Sequence, residues 1–268
     1  MKRPTALKPQ SIGSTEPVAP TLTRPVRCRA RALAVDAHFE PHRHPWAQLA
    51  YCASGLIAVT VCNAGLDVSC IVPPSRAVWI PPGALHAVTV LEAAELRTLY
   101  LDPDVTPEGW RDYRVLLVSA LLRELIHALE DSQPGTRDTH LMQLILAEMA
   151  SADTQSLGVA LPRDKRLRSL CEAVLRAPTE RATLADWSSD IGASERTVAR
   201  LFRAELGTSY QQWRQQAVLA HALPLLARGL PVSQVAEASG YASASAFCAM
   251  FKTAMGQLPR DFYKRNRI

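Results

Sequence analysis

The sequence lacks any run of about 18 apolar residues, the minimum for a helix that spans a bilayer, so no transmembrane helix is expected. Its opening stretch, MKRPTALKPQSIGSTEPVAPTLTRP, carries lysine and arginine but no apolar central region, which is not the pattern of a secretory leader. Five prolines in those 25 residues predict a flexible tail over residues 1–27. There is no C-x-x-C pair either. The six cysteines, at 28, 52, 62, 70, 171 and 248, follow no framework spacing, which predicts free thiols in a reducing cytoplasm. Nor is there an excess of charge: 21% charged and 48% hydrophobic residues are the proportions of an ordinary globular protein and exclude a disordered or fibrous chain.

What the sequence does have is length for two cores, at 268 residues, and an uneven distribution of its +5 net charge. Residues 161–268 hold 16 Lys and Arg against 9 Asp and Glu, a surplus of +7, whereas residues 1–160 hold 14 against 16, or −2. Basicity concentrated in one domain is the footprint of a polyanion binder.

From about residue 28 to 101, runs such as LIAVTVC, AVWI and HAVTVL have strand length, and SG, NAG and PPG between them have turn chemistry. Strands this closely spaced predict a small β-barrel or sandwich, bounded here as residues 28–105. Two stretches of helical spacing joined by DSQPG follow, with Leu117, Leu121, Leu125 and Leu129 expected on one stripe. This hairpin, residues 106–152, either covers the barrel or offers a dimer surface. Small and polar residues at 153–162 read as a linker.

From Arg163 onward the pattern is helical and repeats at an offset of 49: Ser194 aligns with Ser243, Val198 with Phe247, Phe202 with Phe251, Gly207 with Gly256 and Trp213 with Phe262. Each copy runs from a short helix (LADWSSDI, VSQVAEAS) through a turn glycine (Gly192, Gly240) to a serine able to cap a second helix (Ser194, Ser243). That is the order of a helix-turn-helix, with units at about 183–206 and 232–255. The residues GYASASAFCAMFKTAMGQLPRDF make the likeness specific. Gly240, Tyr241, Ser243, Ser245, Phe247, Phe251, Lys252, Gly256 and Pro259 match the second motif of AraC/XylS-type transcription regulators, so residues 163–268 resemble their DNA-binding domain.

A base-reading helix must expose long hydrogen-bonding side chains on the side away from its core stripe. In the first unit the stripe is Val198, Leu201, Phe202 and Leu206, leaving Glu195, Arg196, Ala199, Arg200 and Arg203 outward. Arg196 and Arg200, four apart, share a direction and suit the two acceptors of guanine; Arg203, nearer the helix end, suits a phosphate. Ser194, Glu195 and Thr197 complete the contact set of this unit. The second unit offers Ser243, Ser245 and Lys252 among alanines, so the first should dominate specificity and the second supply affinity and register. Between the units, TSYQQWRQQAVLAHALPLLARG resembles the connecting helix of that family, with Pro224 a departure from it.

The remaining signal is HFEPHRHPWAQ at residues 38–48, with PPGALH at 81–86. Two positions apart, His42 and His44 are expected on one face of a strand. These two motifs resemble those of a cupin (RmlC-like) barrel, whose metal-binding members use three such histidines and a carboxylate four or five positions after the H-x-H. Here Gln48 or Leu49 stands in that place. Two uses stay open: His42, His44 and His86 hold a transition ion such as zinc, nickel or iron, or they join Trp46, Gln48 and Trp79 in hydrogen-bonding an organic effector. Cys52 is a further candidate ligand by strand parity. His38 reads as strand edge, and His127, His140 and His221 have no partner motif.

The fold class expected is therefore α+β multidomain, an N-terminal β-barrel with a helical hairpin followed by an all-α domain with two helix-turn-helix units. The function that the resemblance implies is a cytoplasmic, sequence-specific transcription regulator or activator. Its partners would be double-stranded promoter DNA, a small-molecule or metal effector, a second copy of itself and RNA polymerase, with no membrane. The rival is a metal-dependent cupin enzyme, a dioxygenase or isomerase; a metal-buffering role is disfavoured because one site in a 29 kDa chain is a poor store.

Overall fold

The structure, a computed structural model, describes residues 8–10, 18–63, 66–74, 76–155, 158–176, 179, 184–185 and 194–265. Two compact units emerge, one from residues 1–63 and 70–157, the other from 64–69 and 158–268.

The first unit is built on the strands β1 (Lys8–Gln10), β2 (Val26–Leu33), β3 (Ala37–His42), β4 (Ala47–Asn63), β6 (Arg76–Ile80), β7 (Leu85–Leu101), β8 (Arg114–Leu117) and β9 (Thr154–Gln155), while β5 (Leu66–Val72) is divided between the two units after residue 69. Pairing runs β1-β3-β7-β4-β6-β8-β9, with β2 also on β7. The two 17-residue strands β4 and β7 form the spine. Ser54 and Gly55, expected to be a turn, lie inside β4. The register against β7 slips there, so the pair is a bulge that bends both strands rather than a break. Glycine is required at the bend: Gly55 has φ 79°, and a Cβ on it would sit 2.0 Å from the Ala93 carbonyl oxygen.

Register divides the sheet into two faces. Leu49 lies opposite Leu99 and Trp79, whereas Gln48 lies opposite Tyr100 and Ile80. The first face, with Val26, Ala47, Tyr51 and Leu101, shares one core with the helices α1 (Ala120–Glu130) and α2 (Thr136–Ser151). From α1, Leu122, Leu125, Ile126 and Leu129 are buried, each contributing about 1.5–3 kcal/mol. This corrects the expected stripe. Leu117 is the last residue of β8, Ser119 caps α1 by accepting from the Leu122 amide at 2.9 Å, and Leu121 is half-exposed. A spacing of four drifts about 40° per step from a period of 3.6, so a run of fourth residues cannot stay on one face.

The segment read as a flexible tail is anchored in its second half. Arg24 donates through Nε and Nη2 to the two carboxylate oxygens of Asp138, both at 2.8 Å, and from Nη2 to the Ser132 carbonyl. Asp138 is buried on α2, so the pair is held where it is poorly screened. Lys8–Gln10 pairs in parallel with β3. The stretch read as linker is likewise engaged: β9 pairs with β8, and Leu117 donates its amide to the Asp153 carbonyl.

The second unit comprises β10 (Gly158–Leu161) and helices α3 (Lys165–Arg176), α4 (Glu195–Leu206), α5 (Tyr210–Ala227), α6 (Val232–Ala238), α7 (Ala244–Met255) and α8 (Pro259–Arg265). Val159, Leu167, Leu170, Cys171, Val198, Phe202 and Trp213 share a core, and the Trp213 indole donates to the Ala160 carbonyl at 2.7 Å. Asp164 Oδ1 accepts from the amides of Arg166 and Leu167 and so starts α3; hydrogen bonds from these two amides, the Leu167 one foremost, lower its carboxyl below the usual range.

The internal repeat is visible in α4 and α7. α4 begins at Ser194 and α7 at Ser243, each hydroxyl accepting from the amide three residues on; each helix ends on a left-handed glycine, Gly207 (φ 65°) and Gly256 (φ 73°). Their amides close on the carbonyls of Arg203 and Lys252. α5 opens with a Ser209–Gln212 capping box and carries Pro224 in its last turn, where one backbone bond is forfeited next to a terminus. Most of LADWSSDI, with Gly192, lies outside the described residues. All six cysteines are free. Among the described residues, no helix is long and apolar enough to cross a membrane.

Candidate DNA-reading helices and histidine site

On α4, Val198 and Phe202 are fully buried, Leu201 and Leu206 partly, and Glu195, Arg196, Arg200 and Arg203 are exposed. Glu195 in the first turn and Arg203 in the last complement the helix dipole. Arg196 and Arg200 thus project from the side opposite the core without contributing to it. Ser194 and Thr197 have a local task as well: their hydroxyls lie 3.0 Å apart and the Thr197 amide donates to Ser194 Oγ. Arg203 and Ala199 line a cleft of about 670 Å³ with Tyr210, Arg214, Tyr241 and Met250, which the sequence did not announce. On α7, Phe247, Phe251 and Met255 are buried, while Ser245, Ala246, Ala249 and Lys252 are exposed and Ser243 is occupied as the cap.

In the first unit, His42, His44 and His86 converge. One nitrogen from each lies within 4.8 Å of the others, and the ring centroids of His42 and His86 are 4.1 Å apart. The route differs from that expected: His42 ends β3, but His44 stands in the turn before β4 rather than on the same strand. That turn is tied to the PPG turn by the Gly83 amide, which donates to the His44 carbonyl at 2.9 Å. The two motifs meet because their turns are hydrogen-bonded.

The protonation pattern follows from the partners. His42 Nδ1 lies 2.9 Å from the Glu40 carbonyl, His44 Nδ1 2.7 Å from the Trp46 carbonyl and His86 Nδ1 2.9 Å from the Ala84 carbonyl. A carbonyl only accepts, so each Nδ1 must donate, and in each neutral imidazole Nε2 carries the lone pair. Burial pushes His86 down to about 3 and also lowers His42, with the neighbouring imidazoles adding to both shifts. His86 Nε2 is buried with no hydrogen-bond partner among the described residues, as is the indole nitrogen of Trp46. Three lone pairs aimed at one space, one of them unsatisfied, are the donor set of a late transition ion with an open position. Atoms bound to zinc at about 2.1 Å stand about 3.4 Å apart, so closure by roughly an ångström completes the site. The cluster could hold a metal ion.

Gln48 takes the position after the H-x-H. Its Oε1 lies 2.9 Å from His44 Nε2; with Nδ1 donating to the Trp46 carbonyl both atoms are acceptors in the neutral ring, so only a half-turn of the amide would make this contact a hydrogen bond. Trp46 stacks on His44 at 5.4 Å. Other expected members are absent from the cluster. Trp79, placed in the effector set, is fully buried on the opposite face, with its indole donating to the Trp110 carbonyl at 3.2 Å; strand pairing with Leu49 fixes that side. Leu49 shares that core. The Cys52 thiol donates to the Ser54 carbonyl instead of joining the histidines. His38, expected at a strand edge, lies within β3 between β1 and β7, with its Nδ1 2.9 Å from Thr89 Oγ1. Tyr100 was missed: its ring meets His44 edge-on at 5.7 Å, and even parity along β7 from His86 was the signal that pointed to it.

A family model described as an AraC-like ligand binding domain matches residues 24–171, and one described as a helix-turn-helix domain matches residues 187–265. The chain is 36% identical over 230 residues to the HTH-type transcriptional regulator NimR of Escherichia coli K12, covering 84% of this chain and 82% of that protein. It is 38% identical over 85 residues to the transcriptional activator NphR of Rhodococcus sp, covering 31% and 25%. Among solved structures, ToxT of Vibrio cholerae O395 aligns over 91% of this chain and 98% of its own at 13% identity, with a TM-score of 0.39. The matched family models together with NimR, a transcriptional regulator, set aside the reading as a cupin enzyme. The chain belongs to the AraC family of helix-turn-helix transcriptional regulators and carries the family's cupin-type ligand-binding domain ahead of its DNA-binding domain.

Proposed function

We propose that this regulator binds a divalent transition ion (zinc, nickel or iron) through Nε2 of His42, His44 and His86, and that occupancy of this site controls promoter binding by α4 and α7. The observation that carries the reading is the common tautomer: three carbonyls hold three Nδ1–H groups, and the lone pairs that remain converge. Gln48, through the Oε1 that lies 2.9 Å from His44 Nε2, would add a neutral oxygen ligand. Residues 28–105 act as the effector domain. The hairpin at 106–152 pairs subunits into a homodimer through the exposed Leu121 and Leu144, and residues 163–268 bind DNA. Arg196 and Arg200 read base edges, Arg203 and Lys252 anchor phosphates, and Ser194, Glu195, Thr197, Ser243 and Ser245 set the entry of the two helices. Activation through RNA polymerase in the cytoplasm is the output, in line with the name of the Rhodococcus relative.

The effector would bias a two-state equilibrium: an ion or ligand that binds one arrangement better shifts the population toward it. The test is elemental analysis of the purified protein together with DNA binding before and after chelation. One ion per chain, lost in His86→Ala, and promoter affinity that changes on chelation are expected. An ion content unchanged by His86→Ala, or DNA binding indifferent to the ion, would reject the reading.

A further inference from the structure

We propose that the histidine site recognises its effector through an anionic oxygen of the small-carboxylate class, which takes the open position on the ion and accepts a hydrogen bond from the Trp46 indole N–H. This rests on the metal reading above and names the ligand class of that site.

Charge is the first argument. Where metal-binding cupins place a carboxylate, Gln48 is neutral, and the cluster contains no Asp or Glu among the described residues. A dication held by three neutral imidazoles and an amide keeps its full charge in a buried place, and an anion supplied with the effector removes that cost. The second argument is the indole. Tryptophan nitrogen only donates, and this one is buried with no acceptor among the described residues, in a ring stacked 14° from parallel on His44. The missing partner must therefore be an acceptor, on a ring that stacks against one of the three histidines.

The third argument is the surrounding field. Tyr100 stands edge-on to His44 and receives a hydrogen bond from Arg29. Arg27, Arg29 and Arg31 alternate along β2 opposite Tyr100, Thr98 and Leu96, so all three share the Tyr100 face of the sheet. The Arg31 guanidinium lies 5.3 Å over the Phe39 ring. All three have interactions of their own, and Arg29 and Arg31 act electrostatically on Tyr100, the ring that meets His44. A planar carboxylate can place one oxygen on the ion and the other on the indole N–H.

The experiment uses the full-length chain loaded with one equivalent of cobalt(II), whose visible spectrum reports its coordination. Formate, acetate and benzoate should each shift that spectrum saturably, neutral benzamide should not, and inorganic phosphate should be weaker than acetate. Trp46→Phe should take up cobalt with unchanged stoichiometry and bind acetate about tenfold more weakly, the factor that 1.4 kcal/mol represents. If Trp46→Phe fails to load, Tyr100→Phe replaces it, with weakening of at least threefold expected. Cobalt uptake with no response to carboxylates, an equal response to benzamide, a preference for phosphate, or variant affinity equal to wild type overturns the inference and leaves the metal reading standing. Failure of the wild-type chain to bind cobalt at all overturns both.

Discussion

Truncating Arg200 to alanine separates base reading from charge attraction. α4 is held by Val198 and Phe202, both fully buried, by the Ser194 cap and by Gly207 at its end, while Arg200 is exposed on the opposite side. Removing the guanidinium therefore uncovers no core, and stability should move by less than about 0.5 kcal/mol. A bidentate arginine–guanine contact contributes about 1–3 kcal/mol of discrimination, so affinity for the preferred operator should fall by about 5- to 150-fold. The signature is selectivity: on an operator with the contacted base pair replaced, wild type and Arg200→Ala should bind alike. Lys252→Ala should instead weaken every site similarly and make the slope of log affinity against log salt shallower by about 0.9. Fluorescence anisotropy on operators chosen by in vitro selection, at three or more salt concentrations, measures both. Equal losses on matched and altered sites with a shallower salt slope would make Arg200 a phosphate anchor and refute the division of labour. A lowered melting temperature would refute its placement outside the core.

Two further outcomes test the site's foundations. Gly55→Ala should prevent the first unit from folding, because its Cβ would fall 2.0 Å from the Ala93 carbonyl oxygen at φ 79°; loss of the near-ultraviolet circular dichroism of Trp79 and Trp110 reports it, and a native signal would show that the bulge can shift. Acid should destabilise the metal-free protein through His86. Its folded value is depressed to about 3 from the usual 6.5, so the unfolded chain takes up the proton first. The stability is full above about pH 6.5 and lost as pH falls toward 3, which amounts to about 2 kcal/mol by pH 5 and is absent in His86→Asn. Urea unfolding of both proteins at pH 7.5 and 5 measures the difference, and an equal loss in the two rejects the assignment.

The sequence by itself determined the parts of this protein that depend on local order. A 49-residue repeat, a serine at each helix start and a glycine at each end specify two equivalent reading helices, because caps and periodicity act within a few residues. The three site histidines were legible for the same reason, as two short motifs. Tertiary structure decided the rest. The bend at Gly55 converted an apparent turn into the middle of a long strand, since the Ala93 backbone, distant in sequence, excludes a side chain there. Strand register assigned Trp79 to the helix-facing core and brought Tyr100 to His44, an allocation of faces that residue identity does not encode. Asp138, far along the chain, anchored Arg24 out of what composition described as a tail. Contacts between remote segments follow from the path of the backbone, and those long-range pairings brought three histidines from two motifs into one cluster.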